Sequence, residues 1–391
     1  MIKIAVFGVN FDNKGSEAML ISLNEFLKNY LGKDFKLLII YDSNLDKNHK
    51  INDNFHLLQG PTTFFHHLFF LINSILNYWF YFVPITSNMH KIVKEFNKCS
   101  VSVDLSGFAL TDDFSKNSGT RRSLIFLFQT LASKLTMKKH IILPQAIGPF
   151  KRKLNERIVK LIIRLSDKVY NRGEYKFKLT KKLKLKCTKT TDIVFEESFI
   201  NRFKKPSILK EKNQALLNPN ARIYHKTLIS ENYINDQVLL IKTLLDNGYE
   251  VLLTPNEIRE NEFDDLKICK ILKDKFNHES RVHLNTNIEI DNLLDLILES
   301  KFIVTSRFHL MVFSLILKKP PIVISWSDKY NDIMSLFNIS RYCVESTEKS
   351  IDAITDLLAN YDKVKNDIKN NLGVNSKKIK ASLTEFLKFL N

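Results

Sequence analysis

The sequence lacks the residue patterns that most often indicate a metal site or a bound nucleotide. Its 391 residues contain four cysteines, which lie far apart along the chain. Cysteines at such distances form no paired metal-ligand motif and are more often apolar packing residues than halves of a disulfide. The chain also has no His-Glu-x-x-His, no Walker loop and no Gly-x-Gly-x-x-Gly after its first apolar stretch. We therefore expect no metal, no dinucleotide and no other cofactor.

The first residues show no pattern typical of a signal peptide. Residues 1–8 form a short apolar run without a cleavage site, which predicts a buried strand. We therefore expect a cytoplasmic protein.

Charged residues are absent from one long segment. Residues 57–89 contain no Lys, Arg, Asp or Glu, and many of them are aromatic. Polar residues and a proline interrupt the most apolar part, residues 68–85, so a spanning helix is the least favoured interpretation. A pair of buried or domain-packing helices is favoured. The alternative is an interfacial hairpin that makes peripheral contact with the inner membrane surface.

The overall composition is that of a globular protein with an excess of positive charge. Hydrophobic residues make up 44% and charged residues 26% of the chain, and the length suffices for two domains. The net charge of +17 comes with Lys spread over the whole sequence, without clusters of Arg and interleaved aromatic residues. This pattern argues against nucleic acid as a partner. An anionic substrate or an anionic membrane surface fits the charge.

Short apolar stretches alternate with helical patterns along the chain. This alternation predicts βαβ units, and hence an α/β fold with parallel sheets. The predicted strands are residues 2–7, 36–41, 101–105, 140–143, 168–171, 214–217, 250–253, 281–284, 301–304 and 321–325.

The same pattern divides the chain into two halves. We predict an acceptor-facing Rossmann-like domain in residues 1–200, with the uncharged segment as an insertion, and a second domain in residues 201–391. A polar, Lys-rich linker is predicted over residues 201–213. Two helices within residues 350–391, one over residues 351–361 and one over about residues 378–390, are predicted to end the second domain. This domain carries most of the candidate donor site.

The most informative stretch is Thr-Ser-Arg-Phe-His-Leu-Met-Val-Phe-Ser, at residues 305–314. It follows a predicted strand and begins a predicted helix, and Lys329 follows the next strand. Ligands bind at the carboxyl ends of strands in α/β proteins. Arg307, His309 and Lys329 therefore predict an anion site with a proton donor.

Three segments together resemble the polysaccharide pyruvyl transferase family. They are residues 305–314, the Leu-Pro-Gln-Ala-Ile-Gly-Pro-Phe of residues 143–150 and the Asn-Lys-Gly-Ser-Glu-Ala-Met of residues 13–19. The resemblance implies a GT-B-like fold, with two Rossmann-like domains that face each other across a cleft. It also implies transfer of pyruvate from phosphoenolpyruvate onto two hydroxyls of a sugar in a cell-surface glycan precursor, as a ketal, with release of phosphate.

The resemblance also implies roles for particular residues. The family associates the donor with an Arg after a strand of the first half and with the Arg and His of the Ser-Arg-Phe-His element, which are Arg172, Arg307 and His309 here. Arg binds phosphate or carboxylate through a planar fork, and imidazole transfers protons near neutral pH. We expect these three residues to be catalytic and, with Lys329, to bind the donor. The alternatives are a salt bridge for Arg307, a strand cap for Arg172 and a merely hydrogen-bonded His309.

Other residues in the loops after strands are candidates for the acceptor or for the cleft. They are Asn13, Gly15, Glu17, Asp112, Gln145 and Gly148. Gly15 permits close backbone approach, and prolines stiffen the turn that holds Gln145 and Gly148. As alternatives, Glu17 is an ordinary first-turn acid of a helix and Asp112 is a solvated loop carboxylate.

Two other functions compete with pyruvyl transfer. One is a GT-B glycosyltransferase that uses a sugar nucleotide, and the other is a catalytically silent relative that only binds a glycan. The intact set of Arg172, Arg307, His309 and Lys329 argues against the silent relative. The expected acceptor is a sugar, with a lipid-linked glycan precursor as the leading form.

Overall fold

In the computed structural model, the chain divides into two α/β units. The first comprises Met1–Phe11, Ser16–Phe199 and Lys377–Asn391, and the second comprises Asp12–Gly15 and Ile200–Ser376. The structure describes residues 1–11, 13–41, 53–81, 87–112, 118–202, 210–225, 230–258 and 262–390. Residues 82–86 of the uncharged segment and residues 203–209 of the predicted linker lie outside the described residues.

The first unit contains a seven-stranded parallel sheet. Its strands are β1 (Ile2–Phe7), β2 (Phe35–Tyr41), β3 (Phe55–Gln59), β4 (Val101–Asp104), β5 (Lys139–Gln145), β6 (Lys168–Arg172) and β7 (Thr188–Thr190). Its helices are α1 (Lys14–Leu31), α2 (Phe64–Phe80), α3 (Ser87–Asn97), α4 (Ser118–Leu135), α5 (Lys153–Leu165) and α6 (Glu174–Lys182), and a 3-10 turn (Ile193–Phe195) precedes α7 (Glu197–Arg202).

The strand order of this sheet is β3-β2-β1-β4-β5-β6-β7. The chain proceeds from β1 towards one edge and then, from β4, towards the other, so the order reverses between β1 and β4. Ligands bind at such a reversal in open parallel sheets. The central strands are apolar because helices cover both faces of a parallel sheet, and Ile4, Val6, Val101 and Val103 are buried.

The uncharged segment forms β3, α2 and the start of α3. One face of α2 packs onto the core of the first unit, where Phe70 and Leu71 meet Phe7 and Phe96. The opposite face of α2 is exposed. Among the described residues, no helix combines the length and the apolarity that a membrane span requires.

The second unit contains a six-stranded parallel sheet. Its strands are β8 (Gln214–Asn218), β9 (Glu250–Leu253), β10 (Val282–Leu284), β11 (Phe302–Thr305), β12 (Pro321–Ile324) and β13 (Cys343–Val344). Its helices are α8 (Ala221–Tyr224), α9 (Ser230–Asp246), α10 (Asp265–Lys275), α11 (Ile290–Glu299), α12 (Phe308–Ile316), α13 (Lys329–Ser335) and α14 (Thr347–Ala359), with a 3-10 turn at Ser340–Tyr342. The last helix, α15, runs from Tyr361 to Leu387.

The strand order of the second sheet is β10-β9-β8-β11-β12-β13. Here the order reverses between β8 and β11, which are hydrogen-bonded neighbours along their whole length. The loop after β11 holds Ser306 and Arg307. The predicted anion site therefore lies at the topological switch point of the second sheet.

The predicted α/β fold with two Rossmann-like domains is confirmed, but some elements differ from the prediction. All ten predicted strands occur, with small shifts at their ends, and the sequence missed β3, β7 and β13. These three strands lie at sheet edges. An edge strand needs less apolar sequence than a central one, because it has only one neighbouring strand.

The C-terminal region also differs from the prediction. The predicted helix over residues 378–390 is the second half of α15, which begins at Tyr361 and continues through Gly373 without a break. The prediction assigned residues 201–391 to the second domain, whereas Lys377–Asn391 belong to the first unit. Glu385 accepts hydrogen bonds there from Lys168 and Tyr170 of β6.

Candidate functional site

Two loops meet at the switch point of the second sheet. Asn218 ends β8, and its Oδ1 accepts a hydrogen bond of 2.8 Å from Thr305 Oγ1 at the end of β11. Asn220 Nδ2 donates to the carbonyl oxygen of Ser306 at 3.1 Å. Tyr330 donates to the same carbonyl oxygen at 2.7 Å. These bonds fix the backbone from which Arg307 and His309 project.

Arg307 is buried and forms ion pairs with two carboxylates. Its Nη1 lies 2.6 Å from Glu257 Oε2, and its Nη2 pairs with Asp265 Oδ1. Burial alone lowers the pKa of Arg307, but the attraction of Asp265 and Glu257 outweighs it and holds the pKa above the ordinary value. The salt bridge that was the alternative interpretation of Arg307 is therefore present.

The carboxylate partners of Arg307 were not predicted in this role. Asp265 also accepts hydrogen bonds from the backbone amides of Ala221, Asn256 and Glu257. The third guanidinium nitrogen of Arg307, Nε, has no hydrogen-bond partner among the described residues. Arg307 therefore ties the loop after β9 and the start of α10 to the start of α12, and its role towards a donor stays a prediction.

His309 lies in the first turn of α12 and contacts Gly15. A Cβ atom built on Gly15 would lie 1.8 Å from His309 Nδ1 and 1.9 Å from its Cγ. The backbone of Gly15 is fixed locally, because its amide donates to Asn13 Oδ1 at 3.0 Å. The structure therefore brings together two residues that the sequence assigned to different parts of the site.

Lys329 lies at the first position of α13, above aromatic rings. Its Nζ is 4.4 Å from the centre of the Trp326 ring and 5.5 Å from that of Phe308. The rings of Phe308 and His309 contact each other with centroids 5.2 Å apart. The Phe308 ring is thus a neighbour of both the Lys329 ammonium and the His309 imidazole, so the predicted cation and proton donor share one aromatic neighbour.

The start of α12 adds to this arrangement. Arg307 is the residue before the helix, and its side chain makes no capping hydrogen bond to the first-turn amides. Helix N-termini carry a partial positive charge and unsatisfied N–H groups, which favour phosphate and carboxylate groups. The first turn of α12, His309 and Lys329 therefore remain the predicted site for a small anion.

Arg172 belongs to the first unit and is the last residue of β6, not the first residue after it. It is buried and forms an ion pair with Asp192, which is itself buried. Met19 Sδ lies 4.0 Å from Arg172 Nη1, and a Cβ built on Gly107 would lie 2.9 Å from that sulfur. The predicted donor role of Arg172 stays a prediction.

A second polar group lies at the switch point of the first sheet. Gln145 is fully buried at the end of β5, and its Oε1 accepts a hydrogen bond of 3.0 Å from Ser106 Oγ. Within the described residues, its Nε2 has no hydrogen-bond partner. A buried amide donor without an acceptor is costly, so this N–H group is suited to an incoming oxygen of a ligand.

Asp104 stands beside this group and was missed by the sequence analysis. It ends β4 and accepts a hydrogen bond of 2.8 Å from the backbone amide of Ser106. Burial raises the pKa of its carboxyl to about 6. The signal that could have identified Asp104 is an acidic residue at the end of an apolar strand. Asn218 was missed at the equivalent position, the end of β8.

Asp112 has structural contacts in place of the predicted exposure to solvent. It is buried, and its Oδ2 accepts hydrogen bonds from the amides of Lys151 and Arg152. Its Oδ1 accepts a third bond, 2.7 Å long, from Asn155 Nδ2. The solvated-carboxylate alternative is therefore wrong, and Asp112 anchors the start of α5. Its predicted role towards an acceptor gains no support from these contacts.

Gly148 and Glu17 complete the predicted set. Gly148 has a φ of +73°, and its carbonyl oxygen accepts a hydrogen bond from Lys176 Nζ at 2.8 Å. A side chain at Gly148 would collide with Leu179, so the glycine is required by the turn. Glu17 is half-buried in the first turn of α1, as expected of a first-turn acid.

The described residues contain no cluster of His, Cys, Asp and Glu that could hold a metal ion.

The family model for polysaccharide pyruvyl transferases matches residues 13–328 of the chain. The chain belongs to this family. The match spans both units and includes Gly15, Arg172, Arg307 and His309, and it ends just before Lys329. The family implies a transferase whose acceptor is a sugar or polysaccharide. Among curated proteins, none matches the chain significantly.

Several solved structures share the fold. The UDP-GlcNAc 2-epimerase from Neisseria meningitidis, bound to UDP-GlcNAc, is 13% identical over 99% of this chain and 100% of that one, with a TM-score of 0.57. A putative UDP-N-acetylglucosamine 2-epimerase from Listeria monocytogenes is 10% identical over 98% and 94% of the two chains, with a TM-score of 0.60. A mutant O-GlcNAc transferase from Thermobaculum terrenum is 10% identical over 99% and 66%, with a TM-score of 0.52. At these identities the likeness supports the GT-B-like two-domain fold alone.

Proposed function

We propose that the protein transfers pyruvate from phosphoenolpyruvate onto two hydroxyls of a sugar in a cell-surface glycan precursor, forming a ketal and releasing phosphate. Family membership supports the class of reaction. The observation that carries the proposal is the placement of His309 and Lys329 around Phe308, at the first turn of α12. Phosphoenolpyruvate has a phosphate and a carboxylate on a small skeleton, which suits a site with a cation, helix amides and an imidazole.

The chemistry requires a defined set of proton transfers. Both sugar hydroxyl oxygens bond to the central carbon of the donor, and the bond from that carbon to the phosphate oxygen breaks. One hydroxyl proton ends on the methylene carbon, which becomes the methyl group, and the other leaves with phosphate. We assign these transfers to His309, because an imidazole both accepts and donates protons near neutral pH.

The roles of the cations differ in this proposal. Lys329 and the start of α12 hold the phosphate and stabilise the charge that develops on it as it departs. Arg307 has both terminal nitrogens on carboxylates, so its main role is to position α12. Arg172 is kept as a predicted donor residue of the first unit. Gln145, with its buried amide donor, is proposed to bind an acceptor hydroxyl.

The deciding experiment uses phosphoenolpyruvate labelled in its carbon skeleton, with glycan lipids extracted from cells as acceptors. We expect labelled ketal in the glycan and one phosphate released for each ketal formed, and we expect neither with His309→Gln. Release of a nucleoside diphosphate from a sugar nucleotide, without ketal formation, would favour the glycosyltransferase alternative. Glycan binding without turnover of either donor would favour the silent relative.

We further propose that the reaction takes place in the cytoplasm and that its acceptor is a lipid-linked glycan precursor.

A further inference from the structure

Three helices of the first unit lie side by side and share an outer surface. Helix α4 packs between α2 and α5. The rings of Phe64 on α2 and Phe128 on α4 contact each other with centroids 5.3 Å apart. At the other end of α2, Trp79 Nε1 donates to the carbonyl oxygen of Leu135 on α4 at 2.9 Å. We call the outer surface of these helices the α2-α4-α5 face.

Helix α2 is apolar on its exposed face as well as on its buried one. The helix buries Asn73 and Ser74, while Phe65 is 76% and Phe80 is 73% exposed. A surface helix of a globular protein normally turns its polar side chains to solvent. The exposed apolar residues of α2 and the residue after it are Phe65, Phe69, Ile72, Trp79, Phe80 and Tyr81. The first four follow helical spacing, so they form one continuous stripe.

The other two helices extend this apolar surface. Leu124, Ile125, Phe128 and Leu131 of α4 are half-buried, and they recur at helical spacing between α2 and α5. Two large side chains at the C-terminal end of α4, Leu135 and Met137, are exposed. On α5, Leu154 and Leu161 are exposed as well. So many exposed apolar side chains on neighbouring helices normally mark an interaction site on a soluble protein.

The charges of the face have one sign. Helix α2 has no charged residue, and α4 and α5 together have seven cationic residues and one acidic residue, Glu156. Glu156 is paired with Lys160 at 2.5 Å. Arg121, Arg157 and Arg164 are exposed, and the last two alternate with Leu154 and Leu161 along α5. Such a face complements an anionic surface.

We propose that the α2-α4-α5 face docks the protein on an anionic lipid bilayer. The aromatic side chains would enter the headgroup region, where Trp and Tyr are favoured, and the exposed Arg residues would contact lipid phosphates. A lipid surface fits better than a protein partner, because the patch spans three helices and combines many aromatic rings with a net positive charge. The inference concerns binding alone and does not depend on pyruvyl transfer.

Sedimentation with vesicles tests the proposal directly. The probes are vesicles of phosphatidylcholine alone and of phosphatidylcholine with phosphatidylglycerol. We expect the wild type to sediment with the anionic vesicles, and we expect high salt to weaken this binding. The double variant Phe65→Ser with Phe80→Ser should bind these vesicles at least tenfold more weakly. The matched control is Leu239→Ser, an exposed apolar residue of the second unit, which should bind like the wild type.

A second pair of variants tests the charges. Arg157→Gln with Arg164→Gln should lower binding to anionic vesicles and leave any binding to neutral vesicles unchanged. Lys242→Gln with Lys270→Gln removes two exposed cations of the second unit and serves as the control. All these side chains are exposed, so thermal unfolding should be close to that of the wild type, which separates lost binding from lost folding.

Fluorescence gives an independent readout at the surface itself. The emission of Trp79 should shift to the blue with anionic vesicles, and Trp79→Phe should lose this shift although Trp326 remains. The proposal is overturned if the wild type binds no vesicles of either composition, or if the Phe65 and Phe80 variant binds them as well as the wild type. Self-association through this face in sedimentation velocity, without vesicle binding, would also overturn it.

Discussion

The backbone of Gly15 touches the imidazole of His309, so a side chain at residue 15 has no space. A Cβ atom there would lie 1.8 Å from His309 Nδ1 and 2.4 Å from its Cε1. The two residues are almost 300 positions apart in the sequence. The contact connects the Asn-Lys-Gly-Ser-Glu element near the start of the chain with the Ser-Arg-Phe-His element, and it makes glycine a requirement for the position of the candidate proton donor.

Gly15→Ala is therefore expected to displace His309 and to lower turnover. A misplacement of about 1 Å in a reacting group can cost on the order of 10²-fold in rate. The measurement is steady-state release of phosphate from phosphoenolpyruvate with a glycan acceptor. Gly373→Ala is the control, because a Cβ at Gly373 meets nothing within 4 Å. Full activity of Gly15→Ala would show that turnover does not depend on the exact position of the His309 imidazole.

His309→Gln should abolish turnover and leave donor affinity largely intact. Glutamine keeps a hydrogen-bonding group of similar size but does not exchange protons near neutral pH. A general acid or base contributes roughly 10²–10⁴-fold to the rate, whereas loss of a binding contact acts chiefly on affinity. Calorimetry with phosphoenolpyruvate and turnover assays separate the two effects. Near-normal turnover would remove His309 from the chemistry.

Lys329→Ala should impair donor binding and turnover together. A cation that holds phosphate acts in the ground state and, more strongly, as charge develops on the departing phosphate. Lys329 lies over aromatic rings, so its loss removes charge without opening the core. The same two assays apply, with Lys242→Ala as a control for an exposed cation of the second unit. Unchanged donor affinity in Lys329→Ala would mean that Lys329 does not bind the phosphate of the donor.

Arg307→Met is expected to destabilise the fold more than it weakens donor binding. It leaves Asp265 buried without the cation it pairs with, whereas Glu257 keeps its ion pair with Arg222, and breaking one partner of a buried ion pair costs about 3–5 kcal/mol. Adding Asp265→Asn should recover part of this loss, since it removes the carboxylate whose ion pair is lost. Chemical denaturation measures the free energy of unfolding. A large loss of donor affinity with wild-type stability would restore Arg307 as a direct donor ligand.

The fold was predictable from local pattern, because central strands of parallel sheets are nearly continuous apolar runs with helices between them. β1 was predicted at its observed bounds, Ile2–Phe7. Edge strands such as β7, Thr188–Thr190, lack that signal. The continuity of α15 was hidden by Gly373, which ordinarily weakens a helix. The apolar residues on both sides of Gly373 nevertheless recur at helical spacing and are buried: Val364, Ile368, Leu372, Ile379, Leu383 and Phe386.

The candidate site was predictable as a set of residues but not as a set of contacts. The strand-to-helix context identified Arg307, His309 and Lys329, and the structure places the last two against the Phe308 ring. It gave no sign that Glu257 and Asp265 neutralise Arg307, because they come from a different loop and helix. Long-range ion pairs have no sequence period.

Asp104 gives the clearest dependence of stability on pH. Burial raises its pKa to about 6, against an ordinary value near 3.8, so between these pH values the folded protein keeps a proton that the unfolded chain releases. The free energy of unfolding should therefore fall as pH rises from about 4 through about 6. The full cost of charging Asp104 is roughly 3 kcal/mol and is present above that window.

Asp104→Asn should remove this cost while it keeps an oxygen for the amide of Ser106. The variant is expected to be more stable than the wild type at pH 7.5 and close to it at pH 4, as measured by chemical denaturation at both values. A difference that does not change with pH would mean that the pKa of Asp104 is the same in the folded protein as in the unfolded chain. Since a buried carboxylate without a cation is costly, a stabilised variant that loses turnover would show that Asp104 is kept for activity. A stabilised variant with full turnover would limit its role to the loop after β4.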